Sequence, residues 1–490
     1  MKTISTFSLG NAVLALCLIA SDSVANEEFP KHTLKANAQI IYNETPKRVD
    51  NFGAMLSESM LYGRIRSNTM ALDYRTNDST HSDHIVSAIG GSLVAKTATF
   101  EGFDFGAGIY FSQAAFWDRN DNVANLKKAK DLLSRFDYVN DGHKYMLVPA
   151  QAYMRYSGIS STNIFLGRQL VETFYTKSND TKMIPNTFDA LVVETKALED
   201  TKIKIAYMHE QKLRDHTESH AVLMYGDAHA TSKEKPQWSE NDDSAMHKGL
   251  TYTALKLAGK PTDAPLLVAD LKNSSIKKLQ LDASMYHVPE LLSQVMLEAN
   301  YEIAMDGFSL APGIRYIKQF DNGAGSVGGA SLSGNASGYK KTDSLDSQMV
   351  AARIVAKADN YKINLAYSYV LDEADLVTPW RGFPTAGYTR SMARYNWKAD
   401  TKSYRLEIVR NDNDRGVYKD MFVQASVLFT DADEEKNGKD EIYSYVGFVQ
   451  NIPAMVALQW RLRLGYLRYK DAEDSANNEL DARFELNYLF

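Results

Sequence analysis

Arg461 and Arg463 stand two positions apart, with Gln459 two positions before them. Asp481, Arg483 and Glu485 repeat that spacing near residue 490, and Lys362 and Asn364 repeat it upstream. A period of two places such side chains on one face of a β-strand. Arg353 falls on the corresponding face of a less regular segment, Gln348–Ala356. Rings or ladders of arginine and lysine facing one space favour anions. A guanidinium grips a carboxylate through two parallel hydrogen bonds and stays charged at any working pH. Such groups select by charge without making or breaking a bond. The alternative is that these charges are solvated or paired with one another.

Catalytic patterns are poor. His209-Glu210-Gln211-Lys212-Leu213 starts like a zinc-protease helix but lacks the second histidine. His216 and His220 are four apart, yet no helix is indicated there. Gly259-Lys260 is no phosphate loop, because Ala254 holds the first glycine position and Pro261 follows the lysine. No Gly-x-Ser-x-Gly elbow is present. Neither an enzyme nor a cofactor is implied. The net charge of −6 argues against a general nucleic-acid binder.

The elements that must position the charged residues are strands with one apolar face. Leu480, Ala482, Phe484, Leu486, Tyr488 and Phe490 alternate with Asp481, Arg483, Glu485 and Asn487. The same alternation runs through Phe103–Phe111, Tyr361–Tyr369 and Leu458–Tyr466. It is less clean near Ile203–Tyr207, Leu279–Met285, Val295–Tyr301, Phe308–Tyr316, Tyr404–Ile408 and Val423–Phe429. A strand with lipid on one face and water on the other belongs to a transmembrane β-barrel, and an aromatic at position 490 suits its closing strand. Hydrophobic residues make up 44 % of the chain, and no stretch after the first residues approaches a transmembrane helix. The apolar content must therefore be spread over alternate positions. The 28 tyrosines suit membrane–water interfaces, where the ring is buried and the hydroxyl stays wet.

Residues 1–25 read as a cleaved secretory signal peptide: a basic Lys2, an apolar run from Ala12 to Ala20, and Ser23-Val24-Ala25 before the cut. The single cysteine, Cys17, lies in that run, so the mature chain has no thiol chemistry. Residues 26–490 are expected to form one transmembrane barrel domain. Short turns such as Met305-Asp306-Gly307 and Ala358-Asp359-Asn360 alternate with long polar loops, and the Gly/Ser-rich tract Asp321–Lys341 reads as mobile. At about 25 residues per strand and connection, this length gives roughly eighteen antiparallel up-and-down strands, enough for an aqueous channel. Residues 26–50 are too few for the globular plug of a 22-stranded transporter.

Several ordered strings carry a family resemblance. They are Gly167-Arg168-Gln169, then Asn179-Asp180-Thr181-Lys182-Met183-Ile184-Pro185-Asn186-Thr187-Phe188, then Lys212-Leu213-Arg214-Asp215. Val377-Thr378-Pro379-Trp380-Arg381-Gly382-Phe383-Pro384 and Asn396–Tyr404 follow. Together, from about residue 50 to Phe490, they resemble the OprD family of Gram-negative outer-membrane porins. The resemblance implies a monomeric 18-stranded barrel in lipid and lipopolysaccharide, and a narrow eyelet formed by an inward-folded third loop facing a basic ladder. It also implies small carboxylate-bearing solutes such as amino acids, short peptides and aromatic acids. Leu170–Phe188 then corresponds to the constriction loop, flanked by Arg168, with Asp180 and Lys182 as the wall opposing the ladder. Arg381 and the following Ala386–Arg390 depart from the family pattern. The expected function is passive, moderately selective diffusion of small anionic or zwitterionic solutes. A general porin, a blocked adhesin-type barrel and an outer-membrane hydrolase are the alternatives.

Overall fold

The computed structural model describes residues 30–35, 38–76, 83–117, 132–178, 180–226, 245–385, 387–392, 394–411, 419–471 and 473–490. The expected signal peptide, residues 1–25, lies outside the described residues, as do Asn179 and Ala386 of the strings above.

Eighteen long antiparallel strands close on themselves as a barrel. The first nine are β1 (Met60–Tyr74), β2 (His84–Lys96), β3 (Phe103–Trp117), β4 (Tyr145–Tyr156), β5 (Thr162–Gln169), β6 (Thr187–Thr195), β7 (Thr201–Lys212), β8 (Leu266–Asn273) and β9 (Leu279–Val288). The rest are β10 (Leu292–Tyr301), β11 (Phe308–Asp321), β12 (Ser347–Ala358), β13 (Tyr361–Val370), β14 (Thr401–Arg410), β15 (Met421–Asp431), β16 (Glu441–Ile452), β17 (Met455–Tyr469) and β18 (Glu479–Leu489). Each segment with the alternating pattern falls on one of these strands. Among the described residues no helix is long and apolar enough to cross a membrane.

The alternation has the expected physical meaning. On β3, Phe105 and Ile109 point outward and are exposed, while Asp104 and Tyr110 point inward and are buried. Outward Tyr145 and Tyr404 lie towards one end of the barrel and outward Tyr301 and Tyr361 at the other, as two interfacial girdles would. β18 closes the barrel against β1, in register from Glu479 opposite Tyr74 to Leu489 opposite Arg64. Phe490 and Gly63 then exchange backbone hydrogen bonds of 2.8 and 3.0 Å. A side chain at Gly63 would occupy the space of the Phe490 ring.

Connections at one end are short, such as 359–360 and 453–454, whereas those at the other are long, such as 213–265, 322–346 and 371–400. In this class of barrel the short turns face the periplasm and the long loops face outside. The long loops fold back into the barrel mouth. Tyr175, Leu223, Leu250, Ala330, Leu345, Val377 and Trp380 come from four different loops and pack with inward Tyr286 and Met349 in one buried cluster.

The Gly/Ser tract belongs to that cluster, so in the structure it is a folded element and not a free loop. Asp375 explains why. Its carboxylate accepts from Leu332 N at 2.8 Å, Tyr339 Oη at 2.7 Å and Ala399 N at 2.8 Å. These bonds tie the tract to loop 371–400, and burial raises the Asp375 pKa.

Candidate pore and constriction

Loop 170–186 leaves β5 at Gln169 and returns at Thr187, and Gln169 lies opposite Phe188 in the ladder. The excursion is braced from within. Asn186 donates from its backbone to Ser178 O at 2.6 Å and from its amide to Lys177 O at 3.1 Å. Ser178 N donates to Glu172 at 2.8 Å. Lys212 Nζ donates to Pro185 O at 2.9 Å, and Arg214 N donates to Asn186 Oδ1 at 2.7 Å. The Pro-Asn-Thr-Phe and Lys-Leu-Arg strings are thus two halves of one brace.

The far side of the loop reaches across to β1. Asp180 accepts from Arg64 at 2.8 Å and from Arg66 at 2.9 Å, and all three side chains are almost wholly buried. Asn68, next on the same inward face, donates to Thr181 O at 3.3 Å. Met183 and Ile184 join one buried cluster with inward Tyr110 and Val94.

Between this loop and the opposite wall lies a cavity of ≈ 1550 Å³. Among the described residues, fifteen arginines and lysines line it, against seven aspartates and glutamates. Arg315, Arg353, Arg405, Arg461, Arg463 and Arg483 project from β11, β12, β14, β17 and β18. Several of them are partly neutralised. Arg315 donates through Nε to Glu298 at 2.7 Å, Arg353 meets the same carboxylate at 3.2 Å, and Arg405 pairs with Glu407. Arg463 sits directly opposite Arg483, and like charges so placed repel. Glu485 relieves Arg463, while Asp481 takes Arg483 at 2.6 Å. Arg461 and Arg66 also approach Glu485, at 3.8 and 3.9 Å. The Tyr388 ring lies between Arg315 and Arg353, 4.4 and 4.1 Å from its centroid. Arg390, whose charged form is disfavoured by burial, covers the Phe383 ring at 3.9 Å.

Asp180, Lys182, Arg353, Arg461 and Arg463 all line this one cavity. Asp180 does so as part of an ion-paired anchor on β1, so it does not stand as a free acid facing the ladder. Arg168 and Lys362 are placed elsewhere. Arg168 shares the outward face of Leu166, and its partner Asp189, 2.8 Å away, shares that of Leu191. Lys362 lies opposite Lys357 at the turn end of β13. Arg381, the departure from the family string, joins two loops by an ion pair with Asp215 at 2.9 Å. Sequence reasoning missed Arg64 and Arg66. Their signal was available, because Arg64, Arg66 and Asn68 alternate just as Asp481, Arg483 and Glu485 do.

Two other clusters lie among the loops. The carboxylates of Asp372, Asp400 and Asp433 approach one another. Lys340 and Lys436 stand 2.6 and 2.8 Å from Asp372 and hold its pKa down, so this is an ion-paired latch between loops. His216 and His220 share a ring-to-ring hydrogen bond of 2.7 Å, and burial lowers His220 to about 4.

No family model and no curated relative matches the chain by sequence. Solved structures do match. The BenF-like porin of Pseudomonas fluorescens superposes with a TM-score of 0.67 at 12% identity, covering 89% of this chain and 99% of that one. OccAB3 of Acinetobacter baumannii gives 0.66 at 14% identity with the same coverage. Pseudomonas aeruginosa OpdK, crystallised with vanillate, gives 0.63 at 12% identity, covering 88% of this chain and 98% of that one. The structural neighbours are OprD-type porins, and the chain has their 18-stranded closed barrel fold.

Proposed function

We propose that this chain is an outer-membrane porin for passive diffusion of small solutes carrying a carboxylate, anionic or zwitterionic. In this reading residues 1–25 are removed on export. Residues 26–490 then work as a single monomeric barrel domain in lipid and lipopolysaccharide, with no covalent chemistry. The observation that carries the proposal is the excess of basic over acidic side chains around the cavity beside the inward-folded loop. Opposed arginines with shared carboxylate partners offer a passing carboxylate a succession of weak exchanges, and conduction needs contacts weak enough to leave. A neighbour crystallised with vanillate, a carboxylate, fits the same class.

Reversal potential of the refolded protein in a planar bilayer under a salt gradient tests the reading. Anion preference, with transient block by added carboxylates, is expected. A conducting but cation-selective barrel would leave a general porin, and a silent one would leave the blocked adhesin type.

A further inference from the structure

The described residues nearest the start of the chain do not join the barrel wall. Among the described residues, His32–Leu34 and Ile40–Tyr42 pair only with each other, as a separate two-stranded sheet. This hairpin nevertheless lies inside the lumen. Gln459, inward on β17, donates to Leu34 O at 3.0 Å. Tyr62, inward on β1, donates to Glu44 O at 2.8 Å. The Lys96 ammonium, at the turn end of β2, sits 3.3 Å from the centre of the Tyr42 ring. His32 meets the Tyr62 ring edge-on, with centroids 5.5 Å apart. At the tip, Ala38 and Gln39 line the same cavity as Asp180, Arg461 and Arg463.

The hairpin differs from the constriction loop in how it is held. Buried ion pairs pin the loop to β1. Among the described residues, the hairpin meets the wall through neutral hydrogen bonds, aromatic packing and a cation–ring contact. A two-stranded hairpin is marginally stable by itself in water. Asn43 and Glu44 are bonded to the hairpin through Lys31 O, at 2.9 and 3.1 Å, and the remaining tether, residues 45–47, is exposed apart from half-buried Pro46. Beyond the tether the chain is fixed to the rim, where Arg48–Val49 pairs with Thr99–Phe100 and Thr99 N donates to Lys47 O at 2.9 Å. The hairpin therefore hangs inside the turn end of the pore from a fixed point.

We propose that this hairpin is a displaceable wall of the pore that sets its size cut-off at the turn end. Solutes wider than the docked opening pass only when the hairpin swings out about residues 45–47. The proposal rests on the porin reading, since a cut-off has meaning only in a conducting barrel.

The test compares single-channel conductance, and liposome swelling with uncharged sugars of graded size, in the parent and two variants. One variant lacks residues 30–42. The other carries Leu34→Cys and Gln459→Cys in a Cys17→Ser background, joined by a short bifunctional thiol reagent that reductant cleaves. The deletion should raise conductance about twofold or more and admit sugars the parent excludes. The crosslink should exclude the largest sugars the parent passes, and reductant should restore them. A deletion variant that folds yet keeps the parent's conductance and cut-off overturns the proposal, as does a crosslinked protein indifferent to reductant. If the deletion variant does not fold, the crosslinked pair decides. A conducting parent unaffected by either change refutes the hairpin alone, whereas a parent and deletion variant that are both silent refute the porin reading with it.

Discussion

Asp180 is the residue that pins the inward-folded loop to β1, because its carboxylate is shared by two guanidiniums that are almost wholly out of water. Removing one partner of a buried pair costs about 3–5 kcal/mol, since the remaining charge is left uncompensated. Asp180→Asn leaves Arg64 and Arg66 facing a neutral amide. The loop should then leave the wall while the barrel persists. The expected result is a higher, noisier conductance and new protease cleavage within 170–186, with strand content unchanged by circular dichroism. An unaltered conductance would show that the internal brace through Asn186 suffices. Arg168 gives the opposite expectation. Although it flanks the same loop, it is paired with Asp189 on the outward face. Arg168→Ala should leave the reversal potential where it is, whereas Arg461→Ala, a cavity-lining change, should move it towards cation preference. Equal shifts in both variants would contradict this division.

At the scale of elements, the hairpin carries a titratable group of its own. Burial, then the charges of Arg64, Lys31 and Lys96, hold His32 at about 4. Those charges come from β1, the hairpin itself and β2, with the Tyr42 and Tyr62 rings alongside. An undocked histidine titrates near its ordinary value of 6.5. The docked state therefore excludes a proton that the undocked state accepts. Docking is at full strength above about 6.5, weakens by about tenfold per pH unit below it, and levels off below about 4. Conductance should rise as pH falls through that window, and His32→Phe should flatten the rise. A profile that is flat in the parent, or that survives in His32→Phe, removes His32 from the account. Strands were legible where only one face is apolar, as in β3, β13, β17 and β18. They were illegible where loops fill the lumen and make the inward face apolar too. On β8, Leu266 and Val268 are buried inward against the loop cluster while Leu271 faces outward, so alternation disappears. The Gly/Ser tract looked mobile for a related reason. The group that orders it, Asp375, lies more than thirty residues from its nearest bonding partner in the tract, Tyr339.

For the whole molecule, charge is sorted by location. The chain carries a net −6, yet among the described residues the cavity lining is basic by more than two to one. Acids concentrated elsewhere are screened by bulk solvent, whereas the cavity groups act across a confined aqueous space whose low-dielectric walls focus their field. Much of the lining is already paired, as with Glu298 between Arg315 and Arg353, and pairs of that kind add little field beyond their own neighbourhood. In the porin reading, the surplus cations must therefore act at a distance on the passing ion. Salt limits that reach: the screening length is about 10 Å at 0.1 M and about 3 Å at 1 M. Anion preference should be pronounced in a gradient centred near 0.1 M and fall towards unity near 1 M, as reversal potentials would reveal. A preference that persisted at the higher salt would require direct contact between each permeating anion and the arginines, so that local grip, rather than the summed field of the lining, would be the source of selectivity.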